Sequence, residues 1–276
     1  MLDETGFLQK GRHSAGVARH YSGTAGTVDN GQIGVLLGYA SVRGHVLLDR
    51  ELYLPQEWAD DRERCQQAGI PAARRFATKP QLAQQMLAGA CSAGVPATWV
   101  TGDRVSGNDR RLRLWLEAQP RAYVLAVSGQ ESVWLGWRQR QVNTILAALP
   151  AADWTRLSAG DGTKGPRWYA WHWRPLAEPR EPDWRRGLLV RRSVSDPADL
   201  TADLVFAPQR TTLEELVRVA GTRWPIESGF EAAKGEVGVD HDEVRSGTGW
   251  SRQITLAMWA YALLTVLRAG ALAVEA

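Results

Sequence analysis

An α/β fold is the class this sequence predicts: a mixed sheet flanked by helices, with a β-rich insertion late in the chain. Three observations lead there. Strand-like apolar runs alternate with stretches of helical spacing through the first half of the chain. Ala122–Val127 is a near-continuous apolar run bounded by Pro120 and Gly129, the pattern of a strand buried on both faces. From about residue 129 to 209 the helical spacing gives way to tryptophans set among Gly, Pro and Arg. With 276 residues and 44% hydrophobic content, the chain can bury a substantial core.

The elements follow in order. Ile33–Tyr39 and His45–Leu48 are rich in branched apolar residues, and Arg43-Gly44 between them is a turn signal, which predicts a hairpin. Thr78 caps a helix carrying Leu82, Met86, Leu87 and Ala90 at helical spacing. Ala97–Val100 reads as a strand ending at Gly102-Asp103, and Asn108 or Asp109 caps a helix with Leu112, Trp115 and Leu116. Strand-like pieces lie at Trp168–Trp173 and Leu188–Val190. Helical periodicity returns at Leu213, Leu216, Val217 and Ala220, and a second helix opens at Pro225, a residue suited to a first helical turn. Ile254–Leu267 is a charge-free apolar run of 14 residues, short for a bilayer, and is expected to be a buried core helix. The division expected is 1–128 with 210–276 as one domain and 129–209 as the insertion.

Composition narrows the function classes. Lys plus Arg number 33 against 30 Asp plus Glu, a mildly basic balance that permits nucleic-acid binding without arguing strongly for it. Cys65 and Cys91 are the only cysteines and form no C-x-x-C, so a disulfide framework or cysteine zinc site has too few ligands, and a reducing cytoplasm is the natural compartment. The opening Met1-Leu2-Asp3-Glu4 is not the start of a secretory leader. The five histidines, His13, His20, His45, His172 and His241, lack the short spacing of a helix-borne zinc pair.

The densest candidate chemistry lies in Arg223–Lys234. Glu227 and Lys234 are seven residues apart and share one helix face, with Phe230 near it and Arg223 one turn before. A carboxylate that holds a hard cation beside basic groups that contact phosphate is what phosphoryl transfer needs, although a solvated face with an ordinary Glu and Lys has the same spacing. Asp103 closes the strand Thr98–Gly102, and ligands gather at the carboxyl ends of strands in α/β sheets; a turn or capping aspartate is the competing reading. Asp3 follows what would be the tail of a strand.

These residues carry a family resemblance. The chain resembles the DDE transposases of bacterial insertion sequences, in the branch whose signature spaces Tyr, Arg, Glu and Lys. Arg223, Glu227 and Lys234 match its last three positions, and Asp3-Glu-Thr-Gly-Phe7, Gly102–Gly107 and Trp250–Leu256 match elsewhere along the whole chain. The resemblance implies a ribonuclease-H-like fold with a β-rich insertion before the last catalytic helix. It implies Asp3, Asp103 and Glu227 as catalytic metal ligands, two Mg²⁺ ions with Mn²⁺ as a substitute, and Arg223 and Lys234 as DNA-binding residues. The partners implied are transposon-end and target DNA, with a homodimer in the DNA complex and no membrane, in a bacterial cytoplasm. Ala220 stands where the signature has tyrosine, Arg104 and Ser106 where an acid and an aromatic are expected, and Gln253 in place of a histidine. Relatives carry a DNA-binding segment ahead of the first aspartate, so the resemblance also implies that this segment and most of the first strand are missing, leaving a remnant or a frame opened downstream of the true start.

Two rival functions are a catalytically inactive DNA-binding remnant and a glycan-processing protein using its 13 tryptophans as sugar platforms. Core or insertion packing explains most of these tryptophans, with Trp168, Trp171 and Trp173 as candidates for stacking on an unpaired base. Arg110, Arg111 and Arg113, with Arg185, Arg186, Arg191 and Arg192, are basic clusters suited to phosphate or to a solvated surface.

Overall fold

A computed structural model describes residues 1–9, 11–22, 27–162, 165–177, 179, 181–238 and 244–275. The chain forms two compact units, Met1–Val95 with Pro225–Ala276, and Pro96–Trp224. These boundaries differ from those expected after residues 128 and 209.

The first unit opens with β1 (Leu2–Leu8), β2 (Ala18–Ser22), β3 (Thr27–Ser41) and β4 (Gly44–Tyr53). β3 pairs antiparallel with β1, with β2 and, through the predicted hairpin turn, with β4. Gly44 supplies the turn at φ +134°, a conformation that suits a residue without a Cβ. β1 is in full register with β3 from Leu2↔Leu37 to Leu8↔Gly31. Asp3 is therefore the second residue of a paired strand. The expectation that it follows a strand's tail is corrected by that ladder of hydrogen bonds.

Two short helices, α1 (Gln56–Asp60) and α2 (Arg62–Gln67), lead to α3 (Lys79–Ser92). Thr78 caps α3 as predicted, and Gln81 closes a reciprocal capping box. Leu82 and Met86 of α3 are buried. Phe7, Leu36, Leu47 and Leu52 share a core with Trp58, Ala233, Trp250, Ile254, Met258 and Tyr261, which places the two C-terminal helices on the side of the sheet that Phe7 faces.

The second unit begins with β5 (Trp99–Gly102), α4 (Arg104–Gly107), α5 (Arg110–Glu117) and β6 (Ala122–Val127). β5 and β6 are parallel, and every residue of β6 is buried, as its apolar run predicts. Asp109 caps α5. The hairpin β7 (Ser132–Leu135) and β8 (Arg138–Gln141) stands as its own two-stranded sheet and is followed by α6 (Val142–Ala147). Then come β9 (Thr155–Gly162), β10 (Gly165–Pro175), β11 (Trp184–Ser193) and β12 (Leu200–Pro208), with α7 (Leu213–Gly221) after them.

β12 pairs with β6, and the sheet of this unit runs β5-β6-β12-β11-β10-β9. The β-rich stretch thus extends the sheet begun by β5 and β6. One face is covered by Leu216, Val217 and Val219 of α7, packed on Val124, Val205, Leu189 and Trp171. Parallel and antiparallel pairs coexist, so the predicted mixed sheet flanked by helices is what the chain adopts.

The last helices, α8 (Trp224–Val237) and α9 (Gly247–Glu275), return to the first unit. The expectation of a buried core helix over Ile254–Leu267 holds for one face only. Ile254, Ala257, Met258 and Tyr261 are buried, while Leu256, Trp259, Leu263, Val266 and Leu267 are exposed.

Candidate active site

In the first unit the alternation of β1 separates two adjacent acids. Asp3, Thr5 and Phe7 face one side of the sheet and Glu4 the other. Glu4 is spent on structure: its Oε2 meets Lys79 Nζ, at the start of α3, at 2.6 Å. Asp3 lies opposite Leu36 on the Phe7 side, the side of Ala233 on α8 and Trp250 on α9. One of its oxygens accepts the backbone N–H of Glu4 at 2.8 Å. Asp3 and α8 are thus brought to the same side of one sheet.

α8 carries Glu227 and Lys234 on one helix, as their spacing predicts. Lys234 is half-buried and follows the fully buried Ala233. The side chains of Glu227 and Phe230, and all of His241, lie outside the described residues.

Asp103 belongs to the second unit. Its backbone is extended at φ −75° and ψ −173°, so it continues the line of β5 before α4 begins. One carboxylate oxygen accepts the Ser106 N–H at 3.1 Å, capping α4 and leaving its second oxygen to other partners. The capping and metal-ligand readings are therefore compatible. Ser106, at a position where the resemblance implies an aromatic, is buried beneath this turn. Gly107 lets α4 lie directly on β6, since a Cβ there would stand 1.8 Å from the Ala126 carbonyl oxygen.

Sheet register reveals a residue that the sequence reading missed. Gly102 is level with Leu125, so Asp103 falls level with Ala126, and Ala126 pairs in turn with Asp203 of β12. Asp103, Ala126 and Asp203 form one row across three strands, with backbones of the two acids about 10 Å apart, and side chains along a row share a face. Burial pushes the Asp203 carboxyl up from its ordinary value, opposed by the positive charges of Arg223, Arg191 and Arg104. Among the described residues no hydrogen bond or ion pair reaches it. On the same face the Thr101 hydroxyl is buried without a hydrogen-bond partner among the described residues. A lone acid inside the otherwise apolar Ala202–Ala207 was the available signal.

Arg223 is half-buried just past the end of α7, where its N–H donates to the Ala220 carbonyl at 3.3 Å. Arg223 thus lies near enough for its charge to act on Asp203, in the row that Asp103 continues. All the acids in question offer oxygen donors, the set that a hard divalent cation takes. Among the described residues no three His, Cys, Asp or Glu side chains form a metal-ligating group, and Glu227 is not among the side chains described.

Other expected contacts are corrected. Arg113 is buried, paired with Glu131 at 2.7 Å and bonded to the Gly107 carbonyl, and Arg186 is paired with Glu117, so neither is free for phosphate. Trp168, Trp171 and Trp173 do not make one stacking platform. The alternation of β10 puts Trp168 on the opposite face from the other two, and Trp171 is fully buried with its indole N–H on the Leu157 carbonyl.

A family model described as a DDE superfamily endonuclease matches residues 1–157. The chain belongs to this family. Its mixed α/β sheet is the ribonuclease-H-like fold expected of a DDE endonuclease. The matched span holds Asp3 and Asp103 and ends before Asp203, Arg223, Glu227 and Lys234. No curated protein matches the chain.

Proposed function

We propose that this DDE endonuclease is the catalytic portion of a transposase of the Tyr-Arg-Glu-Lys branch. It hydrolyses a DNA phosphodiester at a transposon end and joins the liberated 3′-hydroxyl to a target strand. The observation that carries the reading is the placement of Asp103 at the carboxyl end of β5, within a family match that also contains Asp3. In this reading 129–209 is an insertion between the catalytic parts 1–128 and 210–276.

Asp3, Asp103 and Glu227 would hold two divalent cations, Mg²⁺ or Mn²⁺, which when bound supply activation of the attacking oxygen and stabilisation of the leaving oxygen. The protein's own groups do the rest. The Ser106 N–H fixes the Asp103 carboxylate by one oxygen, so the other is presented without a search through rotamers. Arg223 and Lys234 neutralise the charge of the phosphate under attack. The chemistry needs no covalent enzyme intermediate: water attacks phosphorus and the 3′ oxygen leaves, and the same oxygen then attacks a target phosphodiester, whose own 3′ oxygen leaves as a hydroxyl.

Nicking of supercoiled plasmid DNA tests the assignment. Glu227→Gln is expected to lose Mg²⁺-dependent nicking while DNA affinity stays within about twofold; equal nicking by the variant removes Glu227 from the site. Replacing Arg223 or Lys234 with alanine is expected to weaken binding and lower the salt slope by about one unit each. A wild-type chain that binds DNA and never nicks it is a DNA-binding remnant.

A further inference from the structure

The outward side of α9 has no counterpart elsewhere on the described surface. Leu256, Trp259, Leu263, Val266 and Leu267 are 60 to 74% exposed. Leu256, Trp259, Leu263 and Val266 recur at intervals of three, four and three residues, the a/d repeat of a helix seam. Ala260, Ala262, Ala269 and Gly270 flank the seam with small side chains that let another backbone approach closely. Among the described residues the only exposed charge in line with it is Arg252, one heptad before Trp259. Arg268 lies to the side and is engaged with Glu236 at 2.5 Å.

The opposite side of α9 is already committed. Ile254, Ala257, Met258 and Tyr261 sit in the core of the first unit, and α9 is pinned to β4 by Arg50 on Thr255 at 2.8 Å and by Thr265 on the His45 carbonyl at 3.3 Å. By length and composition Gly247–Ala271 would suffice to cross a membrane. A helix packed along one face on an open sheet cannot cross a bilayer, where open sheet edges have no partners for their backbone groups, and an interfacial helix needs a charged face beside its apolar stripe. α9 has one face in a protein core and no charged face.

We propose that this stripe is the contact between two copies of the chain, formed by two α9 helices packed antiparallel about a twofold axis near Tyr261. The seam is symmetric about that residue. Trp259 of one copy meets Leu263 of the other, and Leu256 meets Val266, so the same patch serves both sides of an isologous contact. Five large side chains exposed to this degree on each copy, with their small neighbours, bury on the order of 1,200 Å² in total, the size at which specific interfaces begin. A parallel pair would instead stack Trp259 on Trp259 and align the two Arg252 side chains. The inference rests on the exposed face alone and not on the proposed chemistry.

Sedimentation of the DNA-free full chain tests it. The wild type is expected to run as a dimer at micromolar concentration, and Trp259→Glu combined with Leu263→Glu as a monomer with unchanged circular dichroism, since both positions are exposed. In a Cys91→Ser background, oxidising a mixture of Trp259→Cys and Leu263→Cys chains is expected to give mainly the mixed disulfide. A monomeric wild type at 100 μM, by order of magnitude the weakest contact this area allows, overturns the proposal. So does a dimer that survives the double substitution. Binding of the monomer to phosphatidylcholine and phosphatidylglycerol vesicles assigns the stripe to lipid, and predominant Trp259→Cys self-crosslinking overturns the antiparallel arrangement.

Discussion

On one face of the β5-β6-β12 sheet Glu117 is fully engaged, while on the other Asp203 meets no hydrogen-bond or ion-pair partner among the described residues. Arg186 grips Glu117 at 2.5 and 3.2 Å and the Tyr123 hydroxyl donates to it at 2.7 Å, closing a network among α5, β6 and β11. Asp203 is level with Asp103 and, among the described residues, lies in the longer-range field of Arg223, Arg191 and Arg104. The two acids lie in the same unit and serve different ends. A satisfied buried network stabilises one packing arrangement, whereas an acid kept unsatisfied costs stability and is tolerated where charge is useful.

Glu117→Ala should break the engaged face hardest, because it leaves the Arg186 guanidinium and the Tyr123 hydroxyl without their acceptor. A loss of about 3 to 5 kcal/mol in urea unfolding is expected, and an unchanged midpoint would show the network to be dispensable. Gly107→Ala acts between the faces by pushing α4 off β6 and disturbing the turn that Asp103 caps. About 1 to 3 kcal/mol is expected from such overpacking, together with reduced nicking; a variant with wild-type stability would mean that α4 shifts freely.

Asp203→Asn should have the smallest effect and the opposite sign. The folded pKa of Asp203 lies above its ordinary value of 3.8, so the native state is penalised as pH rises through the interval between the two, and the penalty is absent below it. The variant should therefore melt above the wild type at pH 7, and the difference should vanish as pH falls below about 4. A wild type that melts higher at neutral pH would show that the arginines outweigh burial.

Local signals were legible wherever the cause is local. Thr78 and Asp109 cap helices because a side-chain oxygen meets an N–H three residues on, and Arg43-Gly44 turns the hairpin because glycine accepts the required φ. The placement of Asp103 at a strand end and the shared helix of Glu227 and Lys234 were legible for the same reason. Asp203 was not, because its importance comes from pairing with Ala126, 77 positions earlier. The basic clusters and the β10 tryptophans misled because composition does not say which arginine meets a glutamate or which indole faces a core.

Strand and helix content, caps, turns and the signature spacing of this chain follow from residues close together in sequence, where backbone preference and side-chain period act directly. Tertiary pairing decided the rest. It turned Asp3 toward the side of α8 and Glu4 toward Lys79, set Asp203 level with Asp103, and buried one face of α9 while leaving the other exposed. A strand's period specifies that neighbours point apart, but only its partner's register determines what each of them meets.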